Sequence, residues 1–407
     1  MMGRCSTGAA TTGWRVALRA AAILAAAVGV GRFVFTPILP LMQHQADVSA
    51  QLGAGIATAN YAGYLAGAVA AMIAPGLFRR RVTLRVSGIA VAATLAAMPL
   101  SVVPAVWIAL RVIAGAGSAV MFVYAASSVL TVIPAHARHL TGWAYGGVGA
   151  GIAASGLLGL VVGVVGDWHV AWWVAAVLTA GLVAAGWNVP ASVRRDATVS
   201  PGSAIHRPHR WFAPLVLSYF LEGVGYIVAG TFLVAAASGH SGDGIGGLVW
   251  IIVGATAVPS CALWAWLSTR WSYPVLLTVA LLAQAAGIAL AAAGGTGYSI
   301  AAAVLFGGTF MGVTVLSLAA GSHLQISAAV AILSAVYAVG QALGPLVVAP
   351  VLDGGFRDAL LIAAVIVALA ALVSGLLRIR FPHHRPAASP SNDDVAAMTA
   401  TPVVLER

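Results

Sequence analysis

Long apolar runs dominate this sequence. Each run reaches about 20 residues, which is enough for an α-helix to cross a hydrocarbon core about 30 Å thick. The runs recur from near the N-terminus to about residue 379. Of the 407 residues, 61% are hydrophobic and only 7% are charged, whereas soluble domains carry about 25% charged residues. Such a chain cannot cover a soluble surface with charge, so we predict an all-α polytopic membrane protein.

Twelve transmembrane helices are predicted, arranged as two six-helix pseudo-repeats. The predicted spans are 17–42, 53–77, 83–103, 105–132, 140–165, 170–188, 211–237, 246–267, 273–293, 298–321, 327–350 and 358–378. A long polar connection, residues 190–210, separates the sixth span from the seventh. The predicted units are a cytoplasmic N-terminus at 1–16, an N-terminal bundle at 17–189, a cytoplasmic linker at 190–210, a C-terminal bundle at 211–379 and a disordered cytoplasmic tail at 380–407.

Similar glycine-marked segments occupy corresponding positions in the two halves. Residues 29–33, Gly-Val-Gly-Arg-Phe, resemble residues 223–227, Gly-Val-Gly-Tyr-Ile. The fifth and eleventh spans likewise share a Tyr-x-x-Gly pattern, at 145–149 and 337–340. Glycine-interrupted segments at matching positions of two repeats mark the central site of many transporters.

The connections between spans alternate in charge. One set carries arginines, namely Arg79, Arg80, Arg81, Arg85, Arg138, Arg194, Arg195, Arg207, Arg210, Arg270, Arg378, Arg380 and Arg385. The other set carries Asp47, Asp167, Asp243, Asp353 and Asp358, with Arg357 as its only arginine. Cytoplasmic loops attract arginine. We therefore predict a multi-pass protein of the plasma (inner) membrane with both termini in the cytoplasm.

Three charged residues fall well inside predicted spans: Arg32, Arg111 and Glu222. A charge at the bilayer centre costs about 2.5–3.5 kcal/mol on insertion scales, so each residue requires a partner or a hydrated cavity. Arg32 and Glu222 lie ~15 and ~11 residues into their helices, both near the midplane at 1.5 Å per residue.

Glu222 has two interpretations. Because burial of a carboxyl group favours its protonated form, it could load and release a proton or contact substrate. Alternatively it forms a structural ion pair with an arginine. Tyr219 and Tyr226 share its helix face and could bind the substrate or satisfy the carboxyl group.

Arg32, between Gly31 and Phe33, could present its guanidinium to a carboxylate or phosphate, or pair with Glu222.

Arg111 precedes a stripe of small residues, so a coupling role and a packing role both remain open. Asn60 and Tyr64 share a face of the second helix, and Tyr337 and Gln341 share one on the eleventh; these four could bind substrate or join helices.

No pattern typical of an enzyme, a metal site or a nucleotide-binding loop is found. We expect no catalytic residues, metal or other cofactor, and no nucleic-acid partner. The expected partners are a small-molecule substrate, protons and the lipid bilayer, with the monomer as the functional unit.

The chain resembles the major facilitator superfamily in its six-plus-six layout and in Arg111-x-x-x-Gly115-x-Gly117-x-Ala119. Within that superfamily it is similar to the YbfB/YjiJ family. The similarity covers about residues 20–375 and rests on the segments 29–42, 59–65, 223–233, 307–312 and 340–345. It implies a proton-coupled or facilitative transporter in which the first, fourth, seventh and tenth helices line one cavity. The loop at 76–81 lacks the acidic residue that the superfamily usually has there.

We therefore predict a secondary active transporter that moves a small organic solute, with a preference for an organic anion, by proton-coupled alternating access. The predicted site residues are Arg32, Glu222, Tyr226, Arg111, Tyr219, Asn60, Tyr64 and Gln341. The alternatives are multidrug efflux by proton antiport and a non-transporting membrane sensor with the same fold.

Overall fold

The computed structural model describes residues 5–133, 139–191, 210–241, 243–324, 326, 329–379 and 381. Over these residues the secondary structure is helical and contains no strand. Twelve of the described helices are long and apolar enough to cross a membrane. The predicted all-α, twelve-span fold is therefore confirmed.

Six spans form each half of the chain and are numbered here in order. The first span consists of Cys5–Leu24, a π-helical segment Ala25–Val30 and Phe35–Gln45. The second to sixth are Ala50–Ile73, Arg81–Ala97, Pro104–Val132, His139–Val165 and Trp168–Ala185. The seventh to twelfth are Phe212–Ser241, Asp243–Leu267, Tyr273–Ala293, Thr296–His323, Ala329–Val348 and Phe356–Leu376.

Local capping explains where several spans begin. The Ser49 hydroxyl accepts the N–H of Leu52 at 3.1 Å, so the second span begins at Ala50 and not at the predicted residue 53. The Asp167 carboxylate caps the sixth span by accepting the N–H of Val170 at 3.0 Å. Side-chain oxygens at this position satisfy backbone N–H groups that have no partner within the helix.

The first span differs most from its prediction. It begins at Cys5, well before the predicted residue 17, and it is not one continuous α-helix. The N–H of Gly31 donates to the carbonyl of Ala26 at 2.8 Å, and that of Phe33 donates to the carbonyl of Val28 at 3.2 Å. Both bonds span five residues instead of four, which is the π-helical pattern often found at functional sites.

The helix resumes after this π segment, at Phe35. Pro37 falls in the first turn of the new helix, where its missing N–H costs no helical bond. The N–H of Thr36 donates to the carbonyl of Phe33 and not to that of Arg32. The carbonyl of Arg32 is therefore available to a side chain, at the depth predicted for the central site.

The two halves contact each other along several spans. The fifth packs against the eighth, the second against the eleventh, and the second piece of the first span against the seventh. The first piece of the first span packs instead against the fourth, fifth and sixth spans of its own half. The interruption near Arg32 thus separates a piece anchored in the N-terminal half from a piece that reaches the C-terminal half.

Polar contacts also join the halves beyond that interruption, and three of them involve the first, second and seventh spans or the end of the bundle. The Thr36 hydroxyl donates to the Gly230 carbonyl at 2.6 Å, and the hydroxyl groups of Tyr61 and Thr231 lie 3.0 Å apart. At the end of the bundle, the Gln51 side chain donates to Asp353. We call this last pair the outer latch.

Most of the predicted linker (192–209) and tail (382–407) lies outside the described residues, as do residues 1–4. Within the predicted tail, Phe381 is described and is 4% exposed. Its ring lies 6.3 Å from that of Trp211 and 5.7 Å from that of His323. The packed part of the chain therefore extends at least to Phe381.

Candidate functional site

Arg32 lies in the interruption of the first span and is 5% exposed. Its Nη2 donates a hydrogen bond to the side-chain oxygen of Gln341 on the eleventh span. Its guanidinium also lies over the rings of Tyr64 and Tyr61, 4.5 and 4.9 Å from their centroids. The Nε atom has no hydrogen-bond partner among the described residues. Part of the donor capacity of this buried cation is therefore unused.

Gln341 connects Arg32 to an aromatic stack. Its Nε2 donates to the Tyr226 hydroxyl at 3.2 Å. The Tyr226 ring lies nearly parallel to those of Tyr337 and Phe310, with centroids at 5.5 and 6.0 Å. Tyr337 stacks in turn on Tyr219 at 4.2 Å. These four rings, which we call the aromatic stack, tie the seventh, tenth and eleventh spans together.

Glu222 lies close to this stack and is completely buried. One carboxyl oxygen, Oε1, accepts a hydrogen bond from Nε2 of Gln284 at 3.3 Å. The other, Oε2, has no hydrogen-bond partner among the described residues. The phenol groups of Tyr219 and Tyr337 are close enough to interact electrostatically with the carboxyl group.

An ion pair between Arg32 and Glu222, one of the two options open from the sequence, does not form in this structure. In the described part of the chain the recorded ion pair joins His169 and Asp167, 3.5 Å apart and partly exposed. Arg32 bonds to an amide and Glu222 bonds to a different amide. The two central charges are therefore separate, each with a neutral hydrogen-bond partner.

Arg111 has a different environment, although it is also buried at 1% exposure. Its guanidinium donates to the carbonyl oxygens of Gly31 and Arg32, at 3.1 and 2.8 Å. It also lies over the rings of Phe35 and Trp172, at 5.6 and 5.8 Å. Arg111 thus binds the carbonyl groups exposed by the interruption of the first span.

Asn60 supports Arg111 and does not contact Arg32. Its Nδ2 donates to the backbone carbonyl of Arg111 at 3.1 Å. This contact requires a close approach of the second and fourth spans, which Gly115 permits because a Cβ there would overlap the Asn60 carbonyl. Asn60 is therefore a helix-joining residue in this structure, one of the two roles considered for it.

The eight predicted residues thus form three adjoining groups. Arg32, Tyr64, Gln341 and Tyr226 meet directly, Arg111 joins Asn60 to the interruption, and Glu222 lies near Tyr219, a member of the aromatic stack. Sequence reasoning did not select Phe33 and Tyr61, whose rings also flank the Arg32 guanidinium. The scarcity of acidic residues in the spans was a usable signal, because a buried arginine without an acidic partner favours aromatic faces.

No cluster of three or more His, Cys, Asp or Glu side chains suited to a metal ion occurs within the described ranges. The groups that meet at the centre are one guanidinium, one amide and several phenol rings. This arrangement can bind an anion by charge and hydrogen bonds and can enclose an apolar body.

Comparison with known proteins gives a family and a fold. The family model described as "Uncharacterised MFS-type transporter YbfB" matches residues 24–375. The nucleoside transporter NupG has a similar structure, with a TM-score of 0.68 and 12% identity over 90% of this chain and 99% of that one. A D-xylose-proton symporter is similar with a TM-score of 0.69 and 17% identity, covering 88% and 96% of the two chains. No curated protein matches this sequence.

Proposed function

Because this chain belongs to the YbfB family of major facilitator superfamily transporters, a family of secondary transporters, we propose that its cargo is a small organic anion moved by proton-coupled alternating access. The observation that carries the proposal is the state of Arg32. This guanidinium is buried, no acidic side chain contacts it among the described residues, and its Nε lacks a partner. A buried charge left without a counter-charge costs several kcal/mol, and an anionic substrate would remove that cost.

The two central arginines support different roles. Arg111 donates to two backbone carbonyl groups and has a structural task at the interruption. Among the described residues, the one hydrogen-bond acceptor recorded for Arg32 is the Gln341 amide, which can be displaced. We therefore assign substrate binding to Arg32, with Gln341, Tyr64 and Tyr226 around it, and a positioning role to Arg111 and Asn60.

Glu222 is the proposed proton site. It is the only acidic residue well inside a predicted span, since Asp358 falls at the very start of one, and its hydrogen-bond donor is the neutral amide of Gln284. No cation holds it ionised in the described part of the chain. A carboxyl group in this setting can bind a proton in one state of the cycle and release it where water enters. Tyr226 of the aromatic stack is close enough to interact electrostatically with both Glu222 and Arg32.

The interruption in the first span suits alternating access. The piece before it packs within the N-terminal half, and the piece after it contacts the seventh span. Relative movement of the halves would break the contacts of Thr36, Tyr61 and the outer latch while Arg111 retains the carbonyl groups of Gly31 and Arg32. Broken helices at the midplane serve this purpose in many transporters.

The remaining features follow from the charge pattern of the sequence. We propose that the protein resides in the inner membrane as a functional monomer, with both termini, the linker at 190–210 and the tail at 380–407 in the cytoplasm. The outer latch then lies on the non-cytoplasmic side. The domain boundaries at 17–189 and 211–379 remain part of this proposal.

Uptake into proteoliposomes tests the function. Purified protein is reconstituted, a panel of radiolabelled organic anions, cations and neutral solutes is supplied, and a pH gradient of either sign is imposed. We expect gradient-driven movement of an anion that is lost in Arg32→Ala. Movement of cations alone would favour multidrug antiport, and no movement of any solute would favour a sensor.

A further inference from the structure

We propose that the substrate is a monocarboxylate with an aromatic or other apolar body. This inference rests on the proposed function and adds a substrate class to it. Three features of the Arg32 site carry it: the number of available charges, the unpaired donor of the guanidinium, and the chemistry of the surrounding side chains.

The first feature is the single available cation. Arg111, the other buried arginine among the described spans, directs Nη1 and Nη2 at the backbone carbonyl groups of Gly31 and Arg32, although its Nε, like that of Arg32, has no hydrogen-bond partner there. Of these two arginines, only Arg32 bonds to neither a backbone carbonyl nor a carboxylate. One cation balances one negative charge. A dicarboxylate or a phosphate dianion would bring a second charge into a buried site without a second cation to contact it.

The second feature is the Nε–Nη2 edge of the guanidinium. Nη2 bonds to Gln341, and the rings of Tyr64 and Tyr61 lie against the group at 4.5 and 4.9 Å. The Nε donor is buried and unpaired. A carboxylate that displaces the Gln341 amide suits this edge, because its two oxygens can accept two parallel N–H bonds from an arginine. Phosphate and sulfate would also fit one edge but carry acceptor oxygens that would need further donors.

The third feature is the apolar character of the surroundings. Phe33, Tyr61 and Tyr64 flank the guanidinium. The nearest amide, Gln341, is held by Arg32 on one side and by the Tyr226 hydroxyl on the other. A substrate with several hydroxyl groups would find few free partners and would lose hydrogen bonds on leaving water. An apolar body, in contrast, gains from contact with these rings.

Ligand binding to the purified full-length protein in detergent tests the inference at pH 7.5. The probes are benzoate, its neutral analogue benzamide, cyclohexanecarboxylate, succinate and inorganic phosphate. Thermal unfolding and isothermal titration report binding directly, which avoids the passive diffusion of benzoic acid through vesicles. We expect benzoate and cyclohexanecarboxylate to bind and raise the Tm, and benzamide, succinate and phosphate to bind at least about 10-fold more weakly.

Variants identify the site. Arg32→Gln should weaken benzoate binding at least about 10-fold. Arg32→Lys should give an intermediate loss, because it keeps the charge but not the planar fork. The matched control is Arg210→Gln, an exposed arginine whose guanidinium also lies over an aromatic ring, that of Trp211 at 4.5 Å; it should leave binding unchanged. The comparison of benzoate with benzamide uses the unmodified protein, so it remains decisive even if the Arg32 variants do not fold.

Each alternative result has a distinct meaning. Equal binding of benzoate and benzamide, or benzoate binding that survives Arg32→Gln, would overturn the inference. Arg32-dependent binding of succinate or phosphate with no response to benzoate would also overturn it, while leaving the anion transporter intact. If no probe binds and the vesicle assay shows no anion transport, the proposed function itself fails.

Discussion

The Arg32 guanidinium donates a hydrogen bond to the side-chain oxygen of Gln341, so the first and eleventh spans hold each other at the centre of the molecule. This contact belongs to a chain of interactions that continues from Gln341 to Tyr226 and into the aromatic stack. An anion that binds Arg32 would compete with Gln341 and thereby disturb this chain.

The competition gives opposite expectations for two substitutions at residue 341. Gln341→Glu places a carboxylate against Arg32, and this internal anion should weaken substrate binding at least about 10-fold, or about 1.4 kcal/mol. Gln341→Leu removes the competing acceptor and should leave affinity unchanged or improved. Titration with the transported anion measures both. Equal weakening in the two variants would contradict the assignment of Arg32 as the anion-binding group.

Glu222→Gln should abolish accumulation driven by a pH gradient. The amide keeps the size of the side chain and can still bond to Gln284, but it cannot bind and release a proton. Counterflow exchange of substrate, which needs no net proton movement, should continue and serves as the internal control. Unchanged accumulation in this variant would exclude Glu222 as the proton site.

Breaking the outer latch should shift the protein towards the state that is open on that side. Asp353→Ala removes the acceptor of the Gln51 hydrogen bond, and the loss of about 0.5–1 kcal/mol corresponds to a two- to five-fold larger open population. The measurement uses a background lacking Cys5 and Cys261, in which a reporter cysteine replaces Ser238, a residue that is 9% exposed. This cysteine should react faster with an impermeant maleimide in Asp353→Ala than in the protein with an intact latch.

The matched control for the latch is Asp358→Ala, which removes the same charge from the beginning of the twelfth span. It lies outside the latch, so the labelling rate should remain that of the parent protein. Equal acceleration in both variants would indicate a general effect of charge at this surface.

Gly115→Ala should destabilise the N-terminal half. A Cβ at residue 115 would overlap the Asn60 carbonyl, so the second and fourth spans must separate and the bond from Asn60 to Arg111 must lengthen. Overpacking of this kind costs about 1–3 kcal/mol. Thermal unfolding in detergent measures the loss. Gly163→Ala is the control, because a Cβ there meets no atom within 4 Å, and it should keep the parent Tm.

The cap of the sixth span predicts a pH dependence. The N–H of Val170 lowers the pKa of the Asp167 carboxyl below its usual value, and nearby His169 lowers it further. The stability from this cap is therefore present above the ordinary pKa of aspartate and is lost as pH falls through the lowered value. Asp167→Ala should reduce the free energy of unfolding by about 1 kcal/mol at pH 7.

Asp167→Asn separates charge from capping. Asparagine also caps helices, so this variant should keep most of the free energy of unfolding at pH 7. Its cap should also persist in acid, where the cap of the parent protein is lost. Identical acid sensitivity of the parent and of Asp167→Asn would show that other groups govern it.

The sequence predicts the number and approximate bounds of the spans well, for a simple physical reason. Apolar length sets the number of crossings, and the helical rise sets the depth of Arg32, Arg111 and Glu222. Partners are harder to predict, because they depend on how each helix is rotated. Nothing in the sequence indicates that Gln341 bonds to Arg32 or that Gln284 bonds to Glu222. These pairings follow from the tertiary packing of the helices.

The role of Arg111 illustrates the same limit. Its acceptors are backbone carbonyl groups of Gly31 and Arg32, and these are available only because the first span departs from α-helical bonding. Gly29 and Gly31 indicate that the backbone can deviate, but not that it adopts a π segment. The acceptors of Arg111 therefore could not be predicted from the sequence.

The π segment Ala25–Val30 also makes the direction of Arg32 depend on the local hydrogen-bonding pattern of the first span. A π turn holds one residue more than the α turn it replaces. Deletion of a single alanine from residues 25–27 would therefore let the segment revert to an α-helix while the residues on either side keep their rotational positions. Reversion to α-helical bonding without a deletion would instead, at 3.6 residues per turn, rotate one side of the segment by about 100° and turn Arg32 away from Gln341. A change of hydrogen-bonding pattern within one helix is thus a way to reorient the buried cation at constant chain length.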